Sequence, residues 1–178
     1  MRKNETFNFE KYASNVVILT RLALIAAMYV ALTLAVPALS FSAIQCRFSE
    51  ILVLLCFYRK DYSVALILGC FIANLFSPLG WYDLVFGVAA TVIAVLPMYY
   101  VKNVFVAALL PVISNGILVG IELTLAFGDP VWINIGSVAL GELIAMAAGA
   151  VIFKFAFEKN APLMRLIGST RNAPKTAA

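Results

Sequence analysis

The sequence holds no histidine, only 12% charged residues, and three cysteines that lack CxxC spacing. Without histidine, transition-metal sites and imidazole acid–base catalysis have little to work with, so no metal site is expected. Cys46, Cys56 and Cys70 lie in or beside apolar segments, where a small buried side chain is expected rather than a disulfide or a metal cluster. No Gly-rich phosphate cradle followed by Lys occurs, so any ATPase must be another chain. No cofactor is expected, and an intramembrane enzyme is disfavoured because neither a nucleophile–base pair nor a metal cluster is available. The scarcity of charge also argues against a soluble domain, which carries roughly 25% charged and 45–50% apolar residues.

What is abundant is apolar surface: 63% hydrophobic residues and a mean hydropathy of +0.99. One soluble core cannot hide that much, so membrane lipid must solvate the rest. The expected fold is all-α: an integral membrane protein of six transmembrane helices, since six spans of ~20 residues account for most of the chain. The divisions expected are a cytoplasmic N-terminal segment (1–15), a six-helix substrate-binding domain (16–158) and a cytoplasmic tail (159–178). The polar opening residues predict no cleavable signal peptide.

The first span runs from about Val16 to Leu39 and is broken near its end by Pro37. A polar stretch, Ser40 to Glu50, leads into a second apolar segment ending at Tyr58. The third covers about Ser63 to Phe76, the fourth Trp81 to Val101, the fifth ends near Phe127, and the sixth runs from Val131 to Phe157. The second and third are short, which leaves a re-entrant element open. Breakers at Arg59-Lys60-Asp61, Ser77-Pro78-Leu79-Gly80, Lys102-Asn103 and Gly128-Asp129-Pro130 separate the segments.

The net charge of +4 does not imply nucleic acid, because the basic residues sit at the ends and in two tight turns. Arg2, Lys3, Lys11, Arg21, Arg59, Lys60, Lys102 and the residues from Lys154 onward fall on one side, and only Arg47 on the other. That asymmetry predicts both termini in the cytoplasm. Trp81, Tyr82 and Trp132 are then expected at the outer boundary, with Tyr99 and Tyr100 at the inner one.

Ala23, Ala27, Ala31 and Ala35 recur every four residues and line one helix face, where small side chains let another helix approach closely, either within the protein or from a partner. A second row, Gly136, Gly141, Ala145 and Gly149, is less regular and expected to pack inside the protein. Ionisable residues at membrane depth cost ~2.5–3.5 kcal/mol on insertion scales and normally face a cavity or a partner. The candidates are Glu50, Asp83, Glu122 and Glu142, with Gln45, Asn74, Asn115 and Asn134 as neutral companions. Two of these have a ready structural use: Arg47 with Glu50 as an i,i+3 ion pair, and Asp83 as a helix N-cap. Glu122 is placed to reach the outer interface, and Glu142 and Asn115, which lie deep, have the weakest structural use. The set suits an outward-facing pocket for a flat, polar, neutral or weakly cationic ligand, with Trp132, Trp81 or Phe127 available to stack on a ring.

The run Ala43-Ile44-Gln45-Cys46-Arg47-Phe48-Ser49-Glu50 resembles the "IQFRxSE" stretch of the QueT family. So does Gly69-Cys70-Phe71-Ile72-Ala73-Asn74-Leu75-Phe76-Ser77-Pro78, followed by Asp83, Phe86-Gly87 and Ala90-Thr91. The resemblance covers about Arg21 to Phe157; Cys46 stands where an aromatic is more usual. It implies the substrate-binding S component of an energy-coupling factor (ECF) transporter, taking up a queuosine precursor, a 7-deazaguanine or queuine. It also implies docking of the alanine row to a transmembrane T component that works with two ATPase subunits. Glu142 and Asn115 are then expected to contact the base edge, with Glu122, Asp83 and Asn74 as further polar contacts and Trp132 stacking. Arg47, Glu50 and Gln45 belong to the same polar set, the first two ordering a closing loop. The alternative is an ion-coupled secondary transporter of a small aminated heterocycle, in which Glu142 or Glu122 carries the proton.

Overall fold

The structure, a computed structural model, describes residues 9–36 and 47–169. Among these the chain is helical throughout, with no strand. Helix α1 spans Phe9–Ala35, and α2 spans Phe48–Tyr58. α3 is Tyr62–Asn74, α4 Trp81–Met98 and α5 Val104–Phe127. α6, Val131–Ile152, runs on through a π-helical turn at Phe153–Phe157, and the short α7 is Ala161–Leu166.

Four stretches are long and apolar enough to cross a membrane: Asn15–Ala35, Trp81–Met98, Val104–Phe127 and Val131–Phe157. The other two apolar segments differ from full spans. α2 has seven residues of 3₁₀-helix, Phe48–Leu54, followed by four α-helical ones, Leu55–Tyr58. Its length is therefore ~20 Å, as is that of α3, against ~30 Å of hydrocarbon. The reason is visible for α2: Val53, Leu54, Leu55, Cys56, Phe57 and Tyr58 are all buried, in contact with α1, α3, α4, α5 and α6. A helix whose second half is enclosed by protein need not match the thickness of lipid. Pro37 and the polar residues 40–46 lie outside the described residues.

Local chemistry sets the ends. The Asn103 side chain accepts from the Phe105 N–H at 2.9 Å and caps α5, which stops at Gly128 in the left-handed region (φ 79°), where a residue without Cβ is unstrained. α5 and α6 then lie against each other through a Gly-x-x-x-Gly pair. Gly116 faces Ala139, and a Cβ on Gly120 would stand 2.6 Å from Ile135 Cγ1 and 2.7 Å from its Cα. Small residues at this spacing let two backbones touch where hydrophobicity cannot drive association. Gly120→Ala is therefore expected to cost about 1–3 kcal/mol, read as a lower melting temperature in detergent. Gly136→Ala, where a Cβ meets nothing within 4 Å, should leave the melting temperature in place. Equal melting for the two would contradict this packing. Of the second small-residue row, Gly141, Ala145 and Gly149 are buried, Gly149 against Ile51 and Leu54 of α2, whereas Gly136 faces open space.

Candidate functional site

An apolar core would leave no reason for acids inside it, yet Glu50, Asp83, Glu122 and Glu142 are all at most 2% exposed. They come from α2, α4, α5 and α6 and meet around one guanidinium, that of Arg47, itself buried. Arg47 precedes α2 in extended conformation. Its Nη2 donates to Asp83 Oδ1 at 3.0 Å, and the two side chains form a buried ion pair. The Ser77 hydroxyl donates to the other Asp83 oxygen. Asn74, at the end of α3, donates to the Asp83 carbonyl at 2.8 Å and to Cys70 Sγ at 3.5 Å. Thr91 donates to the same sulfur at 3.2 Å. Cys70 thus belongs to the polar set and is not merely apolar filling; Cys56 is buried as expected. Gly87 makes room for this arrangement, because a Cβ there would stand 2.7 Å from Asn74 Nδ2 and 3.8 Å from Arg47 Nη1.

From the opposite wall, α1 turns Tyr29 and Thr33 inward, four residues apart and so on one face. The Tyr29 hydroxyl donates to Glu50 Oε1, and Thr33 donates to Ser49 Oγ at 2.7 Å. Asn115 of α5 lies within hydrogen-bonding reach of the Glu142 carboxylate, whose charged neighbours are Glu50 and Arg47. Glu122 neighbours Asp83 and Arg47.

Several sequence expectations change here. The i,i+3 pair of Arg47 with Glu50 is replaced: Arg47 turns to Asp83, thirty-six residues away, and Glu50 to Tyr29. An i,i+3 pair needs both residues on one helix, and Arg47 stands outside α2. Asp83 is not the N-cap of α4, since the cap position is Gly80 and Asp83 sits in the first turn, engaged by Arg47 and Ser77. Trp132 is 79% exposed at the start of α6, Phe127 and Trp81 are also exposed, and Trp81 stacks on Tyr82. None of these rings lies among the buried carboxylates. Gln45 and Cys46 fall outside the described residues. Asn134 is buried and donates to Thr124 Oγ1 at 3.0 Å. Tyr29 was not singled out from the sequence, although two polar-tipped residues on one face of an apolar helix, Tyr29 and Thr33, are the signal that marks it.

Among the described residues, five buried side-chain oxygens have no hydrogen-bond partner: Glu50 Oε2, Asn74 Oδ1, both Glu122 oxygens and Glu142 Oε1. All belong to carboxyl or amide groups. An unmade bond at such a group costs about 1–3 kcal/mol, so a closed arrangement of this kind is complementary to a ligand that brings donors.

A family model described as "QueT transporter" matches residues 19–158. A protein of Lactococcus lactis subsp. cremoris (strain MG1363), named "Queuosine precursor transporter QueT", is 33% identical over 95 residues. That alignment covers 52% of this chain and 50% of the relative, so the chain spans about half the length of the curated relative it matches. No solved structure matches the chain.

Proposed function

Because the chain belongs to the QueT transporter family, we propose that this multi-pass membrane protein captures a queuosine precursor, a 7-deazaguanine or queuine. The reading continues that it does so as the S component of an ECF transporter with six spans. Capture is from the outer face of the plasma membrane, with both termini cytoplasmic, and transport is driven by ATP hydrolysed on partner chains. The observation that carries the substrate class is the group of buried carboxyl and amide oxygens without a partner. A guanine-like edge presents adjacent N–H donors, and a carboxylate accepts two of them side by side. Glu142 with Asn115, and Glu122, are assigned the base edge. Asp83, Asn74 and Arg47 hold the wall behind it, and Glu50 with Tyr29 closes the side toward α1. The name of the Lactococcus relative supports the same substrate class.

The partner half of the proposal rests on α1. Ala23, Ala27, Ala31 and Ala35 are all exposed, while the opposite face of the helix, with Ile25, Ala26, Tyr29 and Thr33, is buried. A smooth, unoccupied row of small side chains suits close docking of a T-component helix.

The experiment is uptake and capture of a radiolabelled 7-deazaguanine by vesicles with and without the T component and ATPases. The expected result is saturable capture by this chain alone and accumulation only with the partners and ATP. Ala27→Leu should leave capture intact while lowering co-purification with the T component about tenfold or more. Accumulation driven by a proton gradient without any ATPase would instead favour the ion-coupled carrier, with Glu142 or Glu122 as its proton site.

A further inference from the structure

At the opposite end of the bundle from the carboxylates, a cavity of about 280 Å³ opens between α1, α2, the π-helical turn of α6 and α7. Its walls are apolar, with Leu24, Met28, Leu55, Phe157 and Leu166 among them. Leu24, Met28 and Leu166 are also exposed, so the cavity is open along the flank of α1. Its mouth is not apolar. Arg21 lines it, and Arg21 Nη1 and Arg59 Nη1 both converge on Gly168, lying 2.7 and 3.0 Å from where a Cβ on that residue would stand. Tyr62 stands beside both guanidinium groups, its hydroxyl bonded to the Ile167 carbonyl at 2.5 Å.

The charge there is unbalanced. Asp61 takes Arg59 through Nε and Nη2 at 3.0 and 2.8 Å, and no acidic group among the described residues pairs with Arg21. Lys60 and Arg165 add further positive charge on the same segments, the α2–α3 turn and α7. A groove lined by apolar side chains, open toward lipid and crowned by an unneutralised guanidinium, joins the two halves of one kind of molecule. We propose that this groove is a binding site for an anionic phospholipid, its phosphate on Arg21 and an acyl chain in the cavity. Basic pockets between membrane helices hold anionic head groups by the same physics, and a long arginine stem reaches the interface while its methylenes cover apolar surface. The bonds that Tyr62 and Arg59 donate to the Ile167 and Gly168 carbonyls, just after α7, fix one wall of the groove, so lipid occupancy also holds α7 against α1 and α3.

The test uses the full chain, stripped of lipid in detergent, with phosphatidylglycerol, phosphatidylcholine of identical chains, glycerol phosphate and inorganic phosphate as probes. Phosphatidylglycerol is expected to raise the melting temperature by about 3–5 °C and to remain as one bound lipid per chain in native mass spectrometry. The other three should do neither. Arg21→Gln should remove the preference for phosphatidylglycerol without lowering the lipid-free melting temperature. Met28→Trp, which fills the mouth and keeps the charge, should remove lipid retention. Equal stabilisation by phosphatidylcholine, equal stabilisation by inorganic phosphate, or an unchanged preference in Arg21→Gln would each overturn the proposal. So would a lipid-independent dimer that closes the groove with a second copy.

Discussion

Truncating Arg47 to alanine is expected to destabilise the protein by about 3–5 kcal/mol, the largest effect of any single substitution considered. Arg47 is 5% exposed and Asp83 0%, so water does not screen what the truncation leaves behind. Asp83 would lose its ion-pair partner, and Glu50, Glu122 and Glu142 would lose the one cation they share as a neighbour. Breaking a buried pair from one side leaves an uncompensated charge, which costs far more than the pair itself is worth. The double replacement Arg47→Met with Asp83→Leu should therefore recover much of the loss, because both charges leave together. Thermal unfolding in detergent reads both variants. A loss below about 1 kcal/mol for Arg47→Ala, the range of an exposed pair, would show that this guanidinium is not the centre of the cluster.

Glu122→Gln and Glu142→Gln are expected to act the other way on stability while removing function. Each carboxyl group is buried and holds at least one oxygen without a partner, so the ligand-free protein gains little from it. Exchanging it for an amide of the same shape should leave the melting temperature unchanged or higher. Ligand capture should fall, since a hydrogen bond to a charged group is worth about 1.5–3 kcal/mol, or roughly ten- to hundred-fold in affinity per residue. Asn115→Ala should weaken capture with Glu142→Gln in a non-additive way, because the amide and the carboxylate are in reach of each other. The decisive readout is the split: capture lost with stability kept. If radiolabelled deazaguanine binds the double glutamine variant as it binds the native protein, the base edge lies elsewhere.

Much of this was legible before the fold was known, and the reasons are specific. Glu50, Asp83, Glu122 and Glu142 are conspicuous because insertion into lipid makes any acid costly, and the structure buries all four. The alanine row was legible because helical spacing alone puts its members on one face. What the sequence could not provide was partnership across the chain. The Arg47–Asp83 pair joins residues thirty-six apart, and only the stacking of α4 beside the start of α2 creates it. The Gly116–Gly120 seam was overlooked for a similar reason: its meaning depends on Ile135 and Ala139 lying opposite. Trp132 shows the converse error. A tryptophan near a pocket's expected mouth reads as a stacking partner, but its first-turn position on α6 leaves it on the surface.

The 3₁₀ run at Phe48–Leu54 sits in the middle of the bundle and is longer than such helices usually are. Each of its residues advances ~2.0 Å along the axis, against 1.5 Å in an α-helix. Seven residues therefore reach ~3.5 Å further along the axis than the same count of α-helix would. That extra reach carries Arg47 and Glu50 away from Leu55 and in among the acids of the longer helices α4, α5 and α6. The central helix is in this sense an outstretched arm, with the guanidinium that all four acids share at its tip.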